Sequence, residues 1–196
     1  MTEIYLATED ALSEAVADRL VMDANRTLRV AVRMGRQGNG YLKQKLPELT
    51  RVANSIPVLM LTDLDKIECP PALIANWSSS RPLPSSMLFR VAVREVEAWL
   101  LADRKGFAAF VGAPLNKLPL NPDSLDDPKQ MLLSFVRRYG RREIKADILP
   151  KPGTRSTVGL GYNQRLSRFV TEVWEPERAT TCSDSLARAF KRLRNL

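Results

Sequence analysis

Residues 56–65 have the sequence IPVLMLTDLD, and this stretch decides the fold class. Its apolar part is continuous rather than alternating, which predicts a strand buried on both faces, as in a parallel sheet. Three further strand-like runs, at residues 4–7, 27–32 and 87–93, are separated by segments whose apolar residues recur at helical spacing. This alternation predicts an α/β fold with a mostly parallel four-stranded sheet flanked by helices.

The second half of the chain has a different pattern. No strand-like run follows the fourth one, and several prolines mark a loop-rich stretch. Helical spacing returns in three segments, at residues 131–139, 162–174 and 186–193. We expect residues 1–110 to form the α/β core and residues 111–196 to form a C-terminal helical extension packed on it as one structural unit. A separate second domain that begins near residue 110 is the alternative.

Composition excludes several classes of enzyme. The 196 residues include no His and only two Cys, Cys69 and Cys182, which form no CxxC pair. Ser-His catalysis, Cys-His catalysis and the usual zinc sites are therefore excluded. So few cysteines indicate reduced thiols in a cytoplasmic protein. The acidic N-terminus is unlike a signal peptide, and no apolar run reaches the roughly 20 residues that a membrane span needs.

Positive charge is concentrated in one segment. The chain has a formal net charge of +8, and residues 129–168 alone contain ten bases and two acids. Such a segment is typical of a surface that follows a nucleic-acid backbone, although a solvated helix face is the alternative. The candidate contacts to nucleic acid are Arg137, Arg138, Arg141, Arg142, Lys145 and Arg155.

Acidic residues follow three of the four predicted strands. Glu9 follows the first strand, Asp63 and Asp65 follow the third, and Glu95 and Glu97 follow the fourth. The carboxyl ends of parallel strands meet at one edge of a sheet, where ligands bind. In an extended chain the two aspartates point to the same side. If a helix has begun by Glu95, the two glutamates point to opposite sides, and we then expect only Glu97 to reach the site.

These carboxylates cannot gather without compensation. Two of them about 5 Å apart repel each other by about 3 kcal/mol at an effective dielectric constant of about 20. Protonation, a nearby Lys or Arg, or a divalent cation would relieve this repulsion. Oxygen ligands without His or Cys favour Mg²⁺ or Mn²⁺ over zinc. In the alternative interpretation the aspartates cap a following helix and the glutamates are solvated.

Three motifs within residues 3–105 resemble the Toprim domain of topoisomerases, primases and nucleases of the overcoming-lysogenization-defect type. They are LATEDALSE at residues 6–14, MLTDLD at residues 60–65 and REVEAWLLAD at residues 94–103. The third is similar to a signature of an uncharacterised Toprim-related family, whose members are often encoded beside ATPases of bacterial anti-phage systems. The Toprim family usually has Gly after the first Glu, where this chain has Asp10.

The resemblance implies a metal site. Glu9, Asp63 and Asp65 would hold Mg²⁺, or Mn²⁺ in its place. Glu97 would complete the site or support it. Glu14, one helical turn further along the chain, would serve a second ion.

The resemblance also implies an activity, that of a metal-dependent nuclease acting on DNA or RNA. A late Lys in related nucleases stabilises the transition state, and Lys151 or Lys145 is the candidate here. The implied partner is an ATPase on another chain, because no GxxxxGK[ST] motif is present. Two alternatives stay open: a non-catalytic nucleic-acid-binding or adaptor subunit, and a phosphoryl-transfer enzyme acting on small phosphates. An oligomer is compatible with any of these.

Overall fold

A four-stranded sheet forms the centre of the computed structural model, which describes residues 1–196. Its strands are β1 (Thr2–Thr8), β2 (Leu28–Gly35), β3 (Val58–Asp63) and β4 (Met87–Ala92). They lie in the order β2-β1-β3-β4, and every pairing is parallel. The predicted α/β fold with a four-stranded parallel sheet flanked by helices is therefore confirmed.

Ten α-helices surround the sheet. They are α1 (Ala11–Ala24), α2 (Gly38–Val52), α3 (Pro70–Ser78), α4 (Val96–Ala102), α5 (Arg104–Val111), α6 (Pro128–Tyr139), α7 (Arg142–Ile148), α8 (Tyr162–Glu172), α9 (Pro176–Ala179) and α10 (Asp184–Arg194). Several begin at a side-chain cap, as in α1, where the Asp10 carboxylate accepts a hydrogen bond from the Ser13 amide at 2.8 Å. None of these helices has the length and apolar character needed to cross a membrane.

Both faces of the sheet are covered because the central strands are apolar on both sides. In β3, Leu59 and Leu61 join one hydrophobic cluster, whereas Val58 and Met60 join another. Helix α1 and the C-terminal helices cover the first face, and α2 and α3 cover the second. The continuous apolar run of β3 thus has the two-sided burial that it predicted.

The helices after residue 110 belong to the larger of these two clusters. Trp99 and Phe107 lie there with Phe169 and Trp174, and all four side chains are fully buried. The rings of Phe107 and Phe169 meet edge to face, with 5.4 Å between their centroids. The indole Nε1 of Trp174 donates to the Trp99 carbonyl oxygen at 3.1 Å. The sheet and the C-terminal helices therefore share one core.

Asp103, the last residue of the third motif, has a structural role. Its fully buried carboxylate accepts hydrogen bonds from the amides of Gly106 and Glu175, each at 3.0 Å. It also forms an ion pair with the Arg178 guanidinium, at 2.5 and 2.7 Å. The group thereby caps α5 and ties α9 to it.

The order of the strands creates a crevice between β1 and β3. From β1 the chain moves outward to β2, then returns past β1 to β3 and continues outward to β4. Ligands of parallel α/β proteins bind at this kind of topological switch point, outside the carboxyl ends of the strands. Glu9 directly follows β1 and Asp63 ends β3, so both carboxylates stand at the crevice.

Candidate functional site

Five carboxylates stand at the carboxyl edge of the sheet, and we call them the acidic edge. They are Glu9, Asp63, Asp65, Glu95 and Glu97. Asp63 lies close enough to both Glu9 and Glu97 for their charges to act on it. Acids from β1, β3 and α4 thus stand at one edge of the sheet, with Asp63 between Glu9 and Glu97.

The turn after β2 fixes the backbone at Glu9. Gly35 has a φ of +119°, and a Cβ at this position would overlap the carbonyl oxygen of Thr8. Only glycine fits such a conformation so close to another strand. The following amides reach β1, because Arg36 N donates to Thr8 O at 2.9 Å and Gly38 N donates to Glu9 O at 3.0 Å. The turn thus holds the end of β1 in place.

The Glu9 side chain spans the crevice from β1 to β3. Its Oε1 accepts hydrogen bonds from the Thr62 hydroxyl and from the Asp63 amide, the latter at 2.9 Å. Burial raises the pKa of the Glu9 carboxyl, and the two hydrogen bonds offset part of that rise. The negative charge of Asp65 raises it further.

Asp63 links the end of β3 to the start of α4. Its Oδ1 accepts a hydrogen bond from the Val96 amide at 2.9 Å. Burial raises the pKa of Asp63 well above its ordinary value, and the charges of Glu97 and Glu9 add to this effect. Asp63 does cap a helix, as the alternative interpretation expected, but the helix is α4 rather than the one that follows β3.

Glu97 is buried, with 2% of its surface exposed. Its Oε1 accepts a hydrogen bond from the Tyr162 hydroxyl at 2.7 Å and lies 3.5 Å from Lys129 Nζ. Its Oε2 is buried and has no hydrogen-bond partner. Burial raises the pKa of the Glu97 carboxyl. The interpretation that these glutamates are solvated is wrong for Glu97, because an unpaired buried carboxylate oxygen is a costly arrangement that a cation would relieve.

Lys129, in the first turn of α6, neutralises part of this negative charge. Its Nζ lies 3.1 Å from Glu95 Oε1, and its backbone amide donates to Glu95 Oε2 at 2.9 Å. Burial would lower the pKa of Lys129, but the charges of Glu97 and Glu95 outweigh this and raise it above its ordinary value. The basic segment of the sequence thus contributes one lysine to the acidic edge.

Glu95 also contacts Lys129, and the condition under which only Glu97 was expected to reach the site is not met. The helix begins after Glu95, which has extended backbone angles, with φ at −143° and ψ at 158°. The opposite orientation of residues two apart in a helix therefore does not apply to this pair.

Asp65 departs from its predicted conformation. The strand ends at Asp63, and Asp65 has a φ of +50°, in the left-handed region. The prediction that an extended chain would point both aspartates to the same side is therefore wrong in its geometry. The exposed Asp65 carboxylate instead accepts a hydrogen bond from Asn39 Nδ2 at 3.2 Å. Its charge still acts on Glu9.

Other residues predicted for the site lie apart from it. Both carboxylate oxygens of Glu14 are bound by Arg36, at 2.6 and 3.0 Å. Lys151 is exposed in the loop between α7 and α8, and Lys145 lies on α7. Neither lysine forms an ion pair with the acidic edge, whereas Lys129 does.

Lys129 and Tyr162 are members of the network that the sequence did not assign to it. Each stands at the start of a helix, α6 and α8 respectively. Asp127 and Pro128 mark the start of α6 in the sequence. That signal fixes where the helix begins, but the direction of Lys129 depends on how α6 packs on α4, which no local pattern encodes.

The six basic residues predicted to contact nucleic acid form no ion pairs. Lys145 is half-buried, and the other five are exposed. The Arg138 guanidinium lies over the Tyr139 ring, 5.3 Å from its centroid. Nearby Arg165 and Arg168 differ, because Asp147 and Glu172 neutralise them. The six residues therefore carry positive charge that is free to meet an anion.

The chemistry of the acidic edge suits a hard divalent cation. Its donors are all oxygens, and Glu97 Oε2 is buried without a partner. No three of the chain's Asp, Glu and Cys side chains stand close enough together to hold one ion as they are. Binding therefore requires the carboxylates to move toward one another.

No protein-family model, curated protein or solved structure matches this chain. Its function must therefore be argued from the geometry of the acidic edge, the basic surface and the three motifs.

Proposed function

We propose that the chain is a Mg²⁺- or Mn²⁺-dependent nuclease of the Toprim type, which cleaves phosphodiester bonds of DNA or RNA. On this proposal it acts in the cytoplasm as the effector subunit of a bacterial anti-phage system, with the ATPase on a separate chain. The three motifs at residues 6–14, 60–65 and 94–103 support the assignment to the Toprim type. The ATPase partner and the role in defence rest on that resemblance alone.

The observation that carries the proposal is the position of Asp63 between Glu9 and Glu97 at the switch point of the sheet. The pKa of each carboxyl is raised, with burial as the first cause in every case. Clustered acids whose ionised forms are disfavoured are typical of a site that receives positive charge. A bound divalent ion would polarise a phosphate and activate a water molecule.

The chain's own residues would have separate tasks in this reaction. Glu9, Asp63 and Glu97 hold the ion. Lys129, whose side chain is 33% exposed beside Glu97, takes the place expected of Lys151 and donates to a phosphate oxygen. The unpaired basic residues on α6 and α7 bind the nucleic-acid backbone without reading bases.

Substitution of Asp63 by Asn tests the proposal. The amide oxygen retains an acceptor for the Val96 amide, but the negative charge is lost. We expect the rate of cleavage of DNA or RNA in Mg²⁺ or Mn²⁺ to fall by more than about 100-fold. Loss of a residue that only supports a metal ligand costs up to about 100-fold, and loss of a ligand itself should cost more. Gel assays on linear and circular substrates measure the rate.

Asp184→Asn is the matched control, because Asp184 is exposed at the start of α10 and forms no ion pair. It should cleave like the wild type. Nucleic-acid binding should survive in Asp63→Asn, since the basic surface is unchanged. Equal cleavage by Asp63→Asn and the wild type would refute the assignment of this carboxylate to the reaction.

One observation favours a second function, that of a non-catalytic adaptor. Lys129 already pairs with Glu95 and Glu97, and no three acids stand in a metal-binding arrangement. A wild-type protein that binds nucleic acid with salt-dependent affinity, and cleaves none with Mg²⁺ or Mn²⁺ even when the ATPase partner is present, would support the adaptor in place of the nuclease.

A further inference from the structure

A cavity of about 490 Å³ opens beside the acidic edge, between α2, α3 and the loops that follow β3 and β4. Five carboxylates line it: Asp63, Asp65, Glu95, Asp126 and Asp127. This volume lies within the range of pockets that hold small organic ligands, about 300–1,000 Å³. The proposed reaction at the acidic edge does not account for the rest of the cavity.

Part of the lining is apolar and aromatic. Trp77 and Leu73, one turn apart on α3, line the cavity. Trp77 is half-buried and rests on Phe89 of β4, with 5.4 Å between the ring centroids. Phe89 therefore holds the indole in place while part of it remains accessible from the cavity.

Three cations also line the cavity: Lys43, Lys66 and Arg94. None of them forms an ion pair with a carboxylate. Lys43 Nζ donates to the neutral Asn76 side chain at 2.8 Å, and Arg94 donates to the carbonyl oxygens of Asp65 and Ile67 at 3.1 and 2.8 Å. The cavity thus combines an aromatic surface with three cations and five carboxylates, so a phosphate would need a divalent ion beside these cations.

We propose that this cavity binds one nucleoside phosphate unit, with its base stacked on Trp77 and its phosphate between Lys43, Arg94 and the acidic edge. Base–aromatic stacking tolerates any base, and lysine and arginine bind phosphate. The inference rests on the proposed function for its substrate class, because a divalent ion must offset the repulsion between the carboxylates and the phosphate. The unit belongs either to a single-stranded end or to a free nucleotide.

Intrinsic fluorescence gives a direct readout of binding. The chain has three tryptophans, and Trp99 and Trp174 are fully buried. A base that stacks on an indole here can therefore quench only Trp77. We expect AMP or a 5′-phosphorylated thymidine pentanucleotide to quench the emission in Mn²⁺ and not in EDTA, and Trp77→Phe to lose the quench.

Two substitutions measure affinity by anisotropy of the labelled pentanucleotide. Trp77→Leu should weaken binding between about 5-fold and about 100-fold, the loss expected for one base–aromatic stack. Lys43→Ala should also weaken binding, whereas Lys45→Ala should not. Lys45 is the matched control on α2, because it pairs with Glu48 at 2.7 Å and lies outside the cavity.

The outcomes separate this inference from the proposed nuclease. Quenching by the pentanucleotide but not by AMP assigns the cavity to a strand end, and equal quenching by both assigns it to a free nucleotide. Cleavage of nucleic acid without any quench would overturn the cavity assignment and leave the nuclease intact. Quenching without cleavage would support the cavity and overturn the nuclease. If the protein binds inorganic phosphate but AMP does not quench the emission, the proposed stacking of a base on Trp77 would be overturned.

Discussion

Asp63 is the residue at which the acidic edge should be most visible in stability. Its pKa is raised by burial and by the charges of Glu97 and Glu9. An acid with a raised pKa contributes stability that is fully present below its unfolded pKa, about 3.9, and is lost as the pH rises through the folded value. Without a divalent ion, Asp63 therefore costs the fold stability at neutral pH, where the carboxyl is ionised in the unfolded chain.

Asp63→Asn should consequently raise the melting temperature of the metal-free protein at pH 8. Each unit by which the pKa is raised corresponds to about 1.4 kcal/mol, and 1 kcal/mol shifts the melting temperature by about 2–4 °C for a chain of this size. The difference from the wild type should shrink as the pH falls below about 3.9, where Asp63 becomes protonated in both states. Thermal melts in EDTA across this pH range measure the difference.

Addition of Mg²⁺ provides the complementary measurement. It should raise the melting temperature of the wild type at pH 8, because ligand binding to the folded state stabilises it, and should have little effect on Asp63→Asn. If Asp63→Asn is less stable than the wild type at pH 8 in EDTA, the hydrogen bond from the Val96 amide to the charged carboxylate outweighs the repulsion of Asp63 by Glu9 and Glu97.

At the scale of single residues, sequence reasoning predicted Glu9, Asp63 and Glu97 correctly as neighbours of the sheet edge, because strand ends fix where such residues lie. It failed where contacts join distant segments. The carboxylates of Glu95 and Glu97 meet Lys129 from α6, and Glu97 also meets Tyr162 from α8. The packing of α6 and α8 against α4 determines these contacts, and a single sequence does not reveal how helices pack.

The turn between β2 and α2 is the element that positions Glu9, and Gly35 is its critical residue. Alanine at Gly35 would combine a positive φ, worth about 1–3 kcal/mol of strain, with an overlap against Thr8 O that costs about another 1–3 kcal/mol. We expect Gly35→Ala to lose at least about 2 kcal/mol of unfolding free energy, measured by urea denaturation.

Gly40 offers a matched control in the same segment. It lies inside α2 without a positive φ, and a Cβ there would meet no atom within 4 Å. Gly40→Ala should therefore stabilise the protein by about 0.5–1 kcal/mol, because alanine is the better helix former. If both variants lost similar stability, the special role of the turn at Gly35 would be disproved.

The elements themselves were predictable to different degrees. All four strands and the longer helices follow from apolar patterning. Three short helices, α5, α7 and α9, were not predicted. In α5 and α9 the reason is visible, because the buried Asp103 carboxylate caps the first and pairs with Arg178 of the second. Helices of one or two turns depend on such tertiary contacts more than on their own sequences.

At the scale of the whole molecule, the shared core decides whether the chain has one folding unit or two. Trp99 and Phe107 lie before residue 111, and their partners Phe169 and Trp174 lie after it. Burial of each large apolar side chain contributes about 1.5–3 kcal/mol, whereas a domain is stable by only about 5–15 kcal/mol in total. Losing the C-terminal partners would therefore remove an amount comparable to the entire stability.

The full chain should accordingly unfold in one calorimetric transition, and residues 1–110 expressed alone should show no cooperative unfolding. Calorimetry of the full chain and circular dichroism melts of the fragment measure this, since a two-state unit gives equal calorimetric and van't Hoff enthalpies. A fragment that melts cooperatively would instead support the alternative boundary near residue 110. The acidic edge gives a reason for the single unit: Lys129 and Tyr162 come from the C-terminal helices, so the network around Glu97 forms only when both halves fold together.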